Sequence, residues 1–520
     1  MNRIYVSLGL LLGMFFSIGA QAAKEKNKDR PNVVFIMSDD HANRAISAYG
    51  SKINTTPNID RIADEGAIFQ QNFVGNSICS PSRATLFTGK HSHKNGIMKN
   101  NSFWNGNQTL LPKEFKKAGY QTALVGKWHL RGLPGNEFDY FKILRGAGHQ
   151  GFYYNPDFLT KGDKDVKQVN GYVTDLVVDE ALRWLEEDKK EENPFMLFVK
   201  FKAPHVPRLP HFRYLERYVN DTIPEPDNLF DDYQNREIYA SKANMKISPA
   251  KINKPYGQCD HDKNIYFQRM TDEEHRKWHD LRKEEDEAYQ KVFRNLGPKE
   301  KKAYAYQRFM KDYLRCVDGI DDNIGRLLDY LDQEGLSENT IVVYCGDQSY
   351  FLGEHGFAEK RFMYEEAMQQ PMVMRWPKGI KAKTSVESLT QNIDIAPTLL
   401  DLANIKVPKD MQGASWKPLL AGKTPADWRT SLYYHYYDHG KHGVPRHEGV
   451  RTERYKLVSF YTDGKYELYD LDKDPMEMYS VYNDPKYKEV VAEMKTELLR
   501  LRKFYGVPDA YLQAPYKLPK

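Results

Sequence analysis

The sequence predicts an α/β fold: a large mixed, mostly parallel sheet sandwiched by helices, with a smaller C-terminal antiparallel α+β domain. Uninterrupted apolar runs are typical of parallel strands covered on both faces, and such runs occur at 33–37, 123–126, 195–199 and 341–344. Apolar residues at 313–331 recur every three or four positions and predict a helix between the strands. After about residue 408, short strand-like segments precede a helical segment at 486–504, which favours a separate α+β unit.

Length and composition set the domain organisation. A chain of 520 residues exceeds one small core, and we expect a larger domain at 30–408 and a smaller one at 409–520. The segment at about 225–302 is rich in charged residues and lacks apolar periodicity, which predicts an ordered surface insertion that can include charged helices. The near balance of 76 basic and 71 acidic residues, a net charge of +5, argues against a nucleic-acid-binding protein.

The first 22 residues have the pattern of a signal peptide. Arg3 precedes an apolar run at 6–18 and a small-residue stretch that ends at Ala22. The apolar run is too short for a stable membrane span, so we expect none in the mature chain. The sequence therefore predicts export to the periplasm or the medium, with cleavage near Ala22.

Charged and imidazole side chains follow each of the four apolar runs. In open α/β sheets, ligands bind at the carboxyl ends of the strands. If the four runs are parallel strands, one edge of the sheet carries the following side chains: Asp39, Asp40, Lys127, His129, Lys202, His205, Asp347 and Gln348.

The carboxylates at this edge predict a metal site. Asp39, Asp40 and Asp347 would repel one another unless a cation lay between them. Oxygen ligands favour Ca²⁺ or Mg²⁺, and Gln348 can add a neutral oxygen. The alternative, that Asp39 and Asp40 only cap a helix, is weakened by Asp347 at the matching end of another strand.

Basic side chains at the same edge predict a pocket for a tetrahedral anion. The candidates are Arg83, Lys127, His129, Lys202, His205 and Lys360. Each alone is typical of a surface charge or a hydrogen-bonded histidine. Together with a metal they would neutralise the oxygens of a sulfate or phosphate ester.

The four cysteines do not suggest a disulfide framework. Cys316 lies in a helical pattern and Cys345 at the end of a strand pattern, so both are predicted to be buried apolar residues. Cys79 differs, because it lies in a turn rich in serine and proline, four residues before Arg83.

The stretch from Cys79 to Arg83, Cys-Ser-Pro-Ser-Arg, followed by Ala-Thr-Leu-Phe-Thr-Gly, resembles the signature of type I sulfatases of the alkaline-phosphatase superfamily. Further motifs of that family are similar to 126–129, 204–205, 353–356 with Lys360, and 468–471 with 474–475. The resemblance spans about 30–506. It implies an alkaline-phosphatase-like catalytic domain at 30–408 and a substrate-contacting C-terminal subdomain at 409–520.

The resemblance implies that Cys79 is oxidised to formylglycine by a maturation enzyme that recognises Pro81 and Arg83. One hydroxyl of the aldehyde hydrate would attack sulfur and form a covalent sulfo-enzyme intermediate. His205 would protonate the leaving alcohol, and His129 would orient the second hydroxyl.

The resemblance also assigns the remaining catalytic and metal positions. Arg83 would hold the hydrate, and Lys127 and Lys360 would bind sulfate oxygens. The metal, usually Ca²⁺ in this family and less often Mg²⁺, would be held by Asp39, Asp40, Asp347 and Gln348. Many members have Asn or His at the position of Gln348.

Segments 148–156, 226–228 with 231–233, and 446–451 resemble a bacterial subgroup, the N-acetylglucosamine-6-O-sulfatases. The implied substrate is a 6-O-sulfated N-acetylglucosamine in a host glycan such as heparan sulfate or a mucin O-glycan. The implied sugar contacts are Glu359 and Arg361, which flank Lys360, and His447. Glu359 replaces a more usual Asp. Each of the three is alternatively a surface ion pair or turn residue.

Three alternatives remain open at this point. The first is another glycosaminoglycan sulfatase specificity, and the second is a phosphodiesterase or phosphonate monoester hydrolase of the same superfamily. The third is a non-catalytic glycan-binding relative, against which the complete set of expected catalytic residues argues. Turnover of sulfate and phosphate esters of one aryl alcohol separates a sulfatase from the second alternative.

Overall fold

The computed structural model describes residues 30–248 and 265–512. The signal-peptide segment 1–22, Cys259 and part of the charged insertion lie outside the described residues. The strands are β1 Asn32–Ser38, β2 Ala67–Phe69, β3 Asn72–Phe73, β4 Gln121–Gly126, β5 Tyr140–Arg145, β6 Asp157–Thr160, β7 Lys167–Gln168, β8 Phe195–Lys200, β9 Thr340–Gly346, β10 Met372–Arg375, β11 Thr384–Val386, β12 Thr390–Gln391, β13 Ser431–Tyr436, β14 His447–Thr452, β15 Tyr455–Phe460 and β16 Lys465–Asp470.

The α-helices lie between and after these strands. They are α1 Pro57–Asp64, α2 Cys79–Thr88, α3 Ser92–Asn95, α4 Leu111–Lys117, α5 Val173–Arg183, α6 Ile238–Lys242, α7 Asp272–Phe293, α8 Pro298–Gln333, α9 Glu365–Met368, α10 Ile395–Leu402, α11 Lys417–Leu420 and α12 Lys488–Tyr505. No helix in the described ranges combines the length and apolar character needed to cross a membrane.

The central sheet has ten strands in the order β11-β2-β10-β9-β1-β8-β4-β5-β6-β7. The five middle strands, from β9 to β5, are parallel, whereas β10 runs antiparallel to β9 and β2. The predicted mixed, mostly parallel sheet is therefore confirmed.

Helices cover both faces of the sheet. Alternate residues of β1 point to opposite faces, so that Phe35 packs in one apolar cluster and Ile36 in another. The first cluster contains Phe87 of α2, and the second contains Val177 of α5 and Ile320 of α8. Coverage on both faces explains why the strand sequences are continuously apolar.

Gly126 allows β4 and β8 to end side by side. Its backbone has a φ of +99°, and a Cβ atom there would lie 2.0 Å from the carbonyl oxygen of Lys200. A side chain is therefore excluded both by the left-handed conformation and by the neighbouring backbone. The chain turns at this glycine and presents Lys127 at the end of the sheet.

The C-terminal unit is a four-stranded antiparallel sheet in the order β13-β14-β15-β16. One face packs on α12, where Val450 and Leu457 belong to the same apolar cluster as Leu498. The other face packs on the larger domain, where Tyr434 joins a cluster with Phe362. The predicted α+β unit is confirmed, and its sheet lies close to the segment that carries Lys360.

Two structural features lie near the domain limits predicted from the sequence. The antiparallel sheet begins at Ser431. Met411, Trp416 and Leu419, which precede it, pack in the core of the larger domain. Helix α8 begins at Pro298, inside the segment expected to be an insertion.

Within that segment, α7 packs on α8 through buried ion pairs. The guanidinium of Arg282 is fully buried and donates to Asp312 at 3.1 Å. Trp278, on the same helix, is also buried. Charged residues on the buried face hide the apolar periodicity that would otherwise predict a packed helix.

Candidate active site

The carboxyl ends of the parallel strands bring the predicted site residues together. Ser38 pairs with Gly346 in register, and Met37 pairs with Lys200. The pairing continues past the strands, since the amide of Asp347 donates to Ser38 at 2.9 Å and that of Lys127 donates to Lys200 at 2.8 Å. The structure thus collects at one edge Asp39, Asp40, Cys79, Arg83, Lys127, His129, His205, Asp347, Gln348 and Lys360, all of them buried.

Cys79 is the first residue of α2 and faces the acidic side chains. Its Sγ atom lies 3.5 Å from Oδ1 of Asp39 and 4.0 Å from Nε2 of Gln348. Burial, reinforced by the negative charge of Asp39, raises the pKa of the Cys79 thiol well above its usual value. The unmodified thiol is therefore protonated and is not an activated nucleophile.

Arg83 lies one helical turn after Cys79 and ties α2 to two strands. Its fully buried guanidinium donates to Asp39 and Asp347, both at 3.1 Å, and to the carbonyl of Lys127 at 3.0 Å. These charge-assisted bonds hold the first turn of α2 in place against the strand ends.

The acidic residues fit a divalent cation bound by oxygen ligands. Asp39, Asp40, Asp347 and Cys79 each place one ligand atom so that all four atoms lie within 4.8 Å of one another. Burial, together with the charges of Asp39 and Asp347, raises the pKa of Asp40 to about 7. Oε1 of Gln348 is buried and has no hydrogen-bond partner among the described residues. A divalent cation would relieve the repulsion among the three carboxylates and would bind Oε1 of Gln348.

Two lysines contact these carboxylates. Nζ of Lys360 lies 2.7 Å from each carboxylate oxygen of Asp40. Nζ of Lys127 forms an ion pair with Asp39 and donates to Oε1 of Gln150 at 3.0 Å. Although burial alone would raise it, the positive charges around Asp39, Lys127 foremost, hold the pKa of that carboxyl well below its usual range.

Two histidines complete the basic groups. Nδ1 of His205 lies 2.9 Å from the carbonyl of Val206, which leaves Nε2 directed at Asp40, 3.9 Å away. Burial, followed by the charge of Lys127, lowers the pKa of both His205 and His129 well below the usual value. Both rings are therefore neutral in the free protein near neutral pH.

Several residues of the site have left-handed backbones. The φ angles are +66° at Asp40, +52° at His129 and +106° at Arg361. Such conformations cost about 1–3 kcal/mol each for residues other than glycine and persist only where the surroundings impose them. They aim these side chains at the common edge.

The structure also shows supporting residues that the sequence did not single out. The hydroxyl of Ser80 donates to the carbonyl of His129 at 2.5 Å, and the amide of Ser80 donates to Asn100 at 3.1 Å. Asn392 donates to the hydroxyl of Ser82 at 3.0 Å. The serines lie inside the Cys79 motif, whereas neither asparagine carries a local sequence signal.

Of the predicted sugar contacts, Glu359 and Arg361 lie beside Lys360. Oε1 of Glu359 is 3.5 Å from Nζ of Lys360 and 4.0 Å from Nε of Arg361. His442 of the C-terminal unit contacts Glu359, with its Nε2 atom 3.4 Å from Oε2 of Glu359.

His447 lies one layer behind this edge. Its ring is fully buried, with centroids 5.6 Å from Tyr434 and 5.3 Å from Tyr436, and Nδ1 lies 2.9 Å from the carbonyl of Pro445. The hydroxyl of Tyr436 accepts a hydrogen bond from Arg361 at 3.4 Å. The described contacts thus connect His447 to the edge through Tyr436, and its direct contact with a sugar stays a prediction.

Two family models match the chain. The model "Sulfatase" matches residues 31–405, and "N-sulphoglucosamine sulphohydrolase, C-terminal" matches residues 353–504. The chain belongs to the sulfatase family. It is a sulfuric ester hydrolase, and the resemblance to type I sulfatases is confirmed.

Relatives of this sulfatase include enzymes that act on amino sugars. An N-acetylglucosamine-6-O-sulfatase of Bacteroides thetaiotaomicron is 43% identical over 94% of this chain and 89% of its own length. The solved structure of BT4656 in complex with its substrate D-glucosamine-2-N,6-O-disulfate has a TM-score of 0.88 and 42% identity, covering 92% of this chain and 99% of that one.

The fold alone is shared more widely. The phosphonate monoester hydrolase of Agrobacterium radiobacter has a TM-score of 0.65 and 22% identity, covering 92% of this chain and 96% of that one. Sulfatases generally use a formylglycine and a divalent metal, and the buried carboxylates of this sulfatase form a possible metal site.

Proposed function

We propose that this sulfatase removes the 6-O-sulfate from N-acetylglucosamine in host glycans such as heparan sulfate or mucin O-glycans. The observation that carries the proposal is the position of Glu359 and Arg361 on either side of Lys360, beside the Cys79 site. The 43% identity to an N-acetylglucosamine-6-O-sulfatase supports it.

A formylglycine formed at Cys79 would supply a hydrated aldehyde, whose hydroxyl is a nucleophile for sulfur. The surrounding residues of the chain suit this role. Arg83 and Asp39 lie against the Cys79 position and would orient the attacking group. Because α2 is packed along its whole length, the position of that group is fixed before substrate binds.

The histidines would take part in proton transfer, and the lysines would bind the sulfate group. Nε2 of His205, once protonated, would donate a proton to the leaving alcohol. His129 would orient the second hydroxyl of the hydrate as that hydroxyl loses its proton. The ammonium groups of Lys127 and Lys360 would bind sulfate oxygens and neutralise charge that develops in the transition state. Both are buried, so their interaction with an anion is little weakened by solvent.

Asp39, Asp40, Asp347 and Gln348 would hold the cation, which we propose to be Ca²⁺. Mg²⁺ fits less well, because it retains most of its water and rarely binds several protein carboxylates in one buried cage. The bound cation would supply positive charge to the sulfate group. Lys360 and Lys127 would then be free to turn from the carboxylates to the substrate.

We also propose that maturation precedes folding and accompanies export. Cys79, Pro81 and Arg83 are all buried in the folded chain, so a formylglycine-generating enzyme would have to recognise them before α2 packs. The signal pattern at 1–22 supports export to the periplasm or medium. N-terminal sequencing of the exported protein tests whether the signal segment is removed, and retention of Met1 in that protein would contradict its removal.

The substrate proposal is tested with purified protein produced together with a maturation enzyme. Sulfate release is measured from 2-, 3-, 4- and 6-sulfated amino sugars and from sulfated uronic acids. We expect 6-sulfated N-acetylglucosamine to be among the best substrates; slower release from it than from the others would contradict the specificity. A phosphodiester and a sulfate ester of one aryl alcohol, assayed in parallel, test the phosphonate-hydrolase alternative.

A further inference from the structure

A cavity of about 470 Å³ lies next to the catalytic residues. His129 forms part of its wall, and Gln150, another wall residue, accepts a hydrogen bond from Lys127 at 3.0 Å. Asn100 also lines it and accepts from the amide of Ser80, the residue after Cys79. The cavity therefore continues the pocket in which the scissile sulfate would bind.

Among the described residues that line this cavity, Arg131 is the one with a permanent charge. Arg131 and His149 line it, and the described lining contains no carboxylate. Burial, followed by the charges of Arg145 and Arg131, lowers the pKa of His149, so both guanidinium groups lie within electrostatic reach of that ring. A wall with uncompensated positive charge favours an anionic ligand.

Arg131 is held in a fixed orientation at the surface. Its guanidinium stacks on the ring of Phe103, 3.7 Å from the centroid, and donates to the carbonyl of Asn101 at 3.4 Å. No described carboxylate forms an ion pair with it. Phe103 is 58% exposed, so the pair presents an apolar ring and a planar cation side by side. Such a pair can contact a sugar face and an acidic substituent at the same time.

The loop opposite Arg131 is strained. Ala147 and His149 have φ angles of +43° and +68°, and the glycines around them at 146, 148 and 151 are also left-handed. The amides of Gln150 and Gly151 both donate to the carbonyl of Gly146, at 3.1 and 3.2 Å, and close the loop. Strained segments of this kind concentrate at ligand-binding sites, because their geometry must be imposed by the rest of the fold.

We propose that this cavity is a subsite for a second anionic group of the glycan, a carboxylate or sulfate carried in addition to the scissile 6-O-sulfate. This subsite rests on the proposed function, and it implies that the preferred substrate carries at least two negative charges. Arg131 is the residue that would pair with the second anion, and Phe103 would pack against the sugar that carries it. The second anion has two sources, an N-sulfate on the same ring or a uronate carboxylate on the neighbouring ring.

The test compares kcat/KM on three substrates. They are N-acetylglucosamine 6-sulfate, glucosamine-2-N,6-O-disulfate, and a disaccharide that joins a uronate to N-acetylglucosamine 6-sulfate. Wild type is compared with Arg131→Gln, Arg131→Lys and the control Arg276→Gln, which removes an exposed charge on α7. We expect Arg131→Gln to lower the ratio of dianionic to monoanionic kcat/KM about tenfold, mainly through KM, since one charge-assisted contact is lost. The ratio for Arg131→Lys should lie between those of wild type and Arg131→Gln, and the ratio for Arg276→Gln should equal that of wild type.

The outcomes separate the sources and the two proposals. A loss confined to the N-sulfated sugar assigns the subsite to the same ring, and a loss confined to the disaccharide assigns it to the neighbouring ring. An unchanged ratio for both dianionic substrates overturns the subsite. If wild type hydrolyses none of the three, the proposed function fails, and the subsite is tested separately by inhibition of aryl sulfate turnover with an N-sulfated disaccharide that lacks a 6-sulfate. About tenfold weaker inhibition in Arg131→Gln supports it, and equal inhibition overturns it.

Discussion

Nζ of Lys360 lies 2.7 Å from both carboxylate oxygens of Asp40, and both side chains are buried. Although burial alone would lower it, Asp40 and neighbouring acidic groups raise the pKa of Lys360 well above its usual value, so the ammonium stays charged. This ion pair joins the segment before α9 to the end of β1. It links the proposed sulfate contact directly to the proposed metal site.

Replacing the ammonium of Lys360 should impair catalysis. We expect Lys360→Met to lower kcat/KM by about 10²–10³, because a buried charge that stabilises the transition state is lost. Lys360→Arg should retain part of the activity. Steady-state kinetics on an aryl sulfate measure the effect, and a Met variant within twofold of wild type would contradict the role of Lys360.

Removal of the cation should inactivate and destabilise the protein. Chelation should abolish turnover, and added Ca²⁺ at about a hundred times its dissociation constant should restore about 2.7 kcal/mol of stability. Asp347→Asn should need roughly tenfold more Ca²⁺, whereas Asp165→Asn, at an exposed position, should behave as wild type. Thermal unfolding and activity titrated against Ca²⁺ provide the measurement, and indifference of both to chelation would refute the metal site.

Gly126 should tolerate no side chain. Gly126→Ala places a Cβ atom 2.0 Å from the carbonyl of Lys200 at a φ of +99°, so we expect a loss of more than about 3 kcal/mol. The matched control is Gly162→Ala, where φ is +92° but nothing lies within 4 Å, and about 1 kcal/mol is expected. Equal unfolding midpoints for the two variants would show that the close approach of β4 and β8 is not needed.

Buried Glu448 should make stability depend on pH. Burial raises its pKa to about 7, although Tyr433 donates to it at 2.8 Å. The folded state thus binds the proton more tightly than the unfolded state. The protonated carboxyl therefore stabilises the folded state below pH 4.5, and this stabilisation is lost as pH rises through 7. The free energy of unfolding of Glu448→Gln, relative to that of wild type, should increase by roughly 2–3 kcal/mol between pH 5 and pH 8. Unfolding midpoints at both pH values measure this gain.

The control for this variant is Glu453→Gln, at an exposed position in the same domain. Its stability relative to wild type should change little between the two pH values. A Glu448→Gln variant whose relative stability is as insensitive to pH as that of the control would disprove the assignment.

The strand ends were predictable because register follows from the fold class. Once 33–37 and 341–344 are identified as parallel strands, Asp39 and Asp347 must lie at one edge. The Cys79 motif identified the residues that face them but not their helix, because a segment rich in serine and proline predicts a turn, whereas Cys79–Thr88 is helical. Gln150, which reaches the site from a loop, lies in segment 148–156, but that segment did not predict its contact with Lys127. His442, also on a loop, carried no sequence signal.

The domain boundary was harder to predict, for a physical reason. The segment containing Trp416 follows α10, and its apolar residues alone do not show which core it joins. The depth of His447 was equally hidden, because it stands between Arg446 and Glu448, and such a polar stretch does not distinguish a buried histidine from a ligand-facing one.

The central claim is that sulfate ester hydrolysis depends on Cys79 converted to formylglycine. It is tested by measuring sulfate release from 6-sulfated N-acetylglucosamine by wild type and Cys79→Ala, both produced with the maturation enzyme, with mass spectrometry of the Cys79 peptide. The account predicts an aldehyde at position 79 and turnover in wild type, and neither in the variant. Equal turnover by Cys79→Ala, folded as wild type, would contradict it.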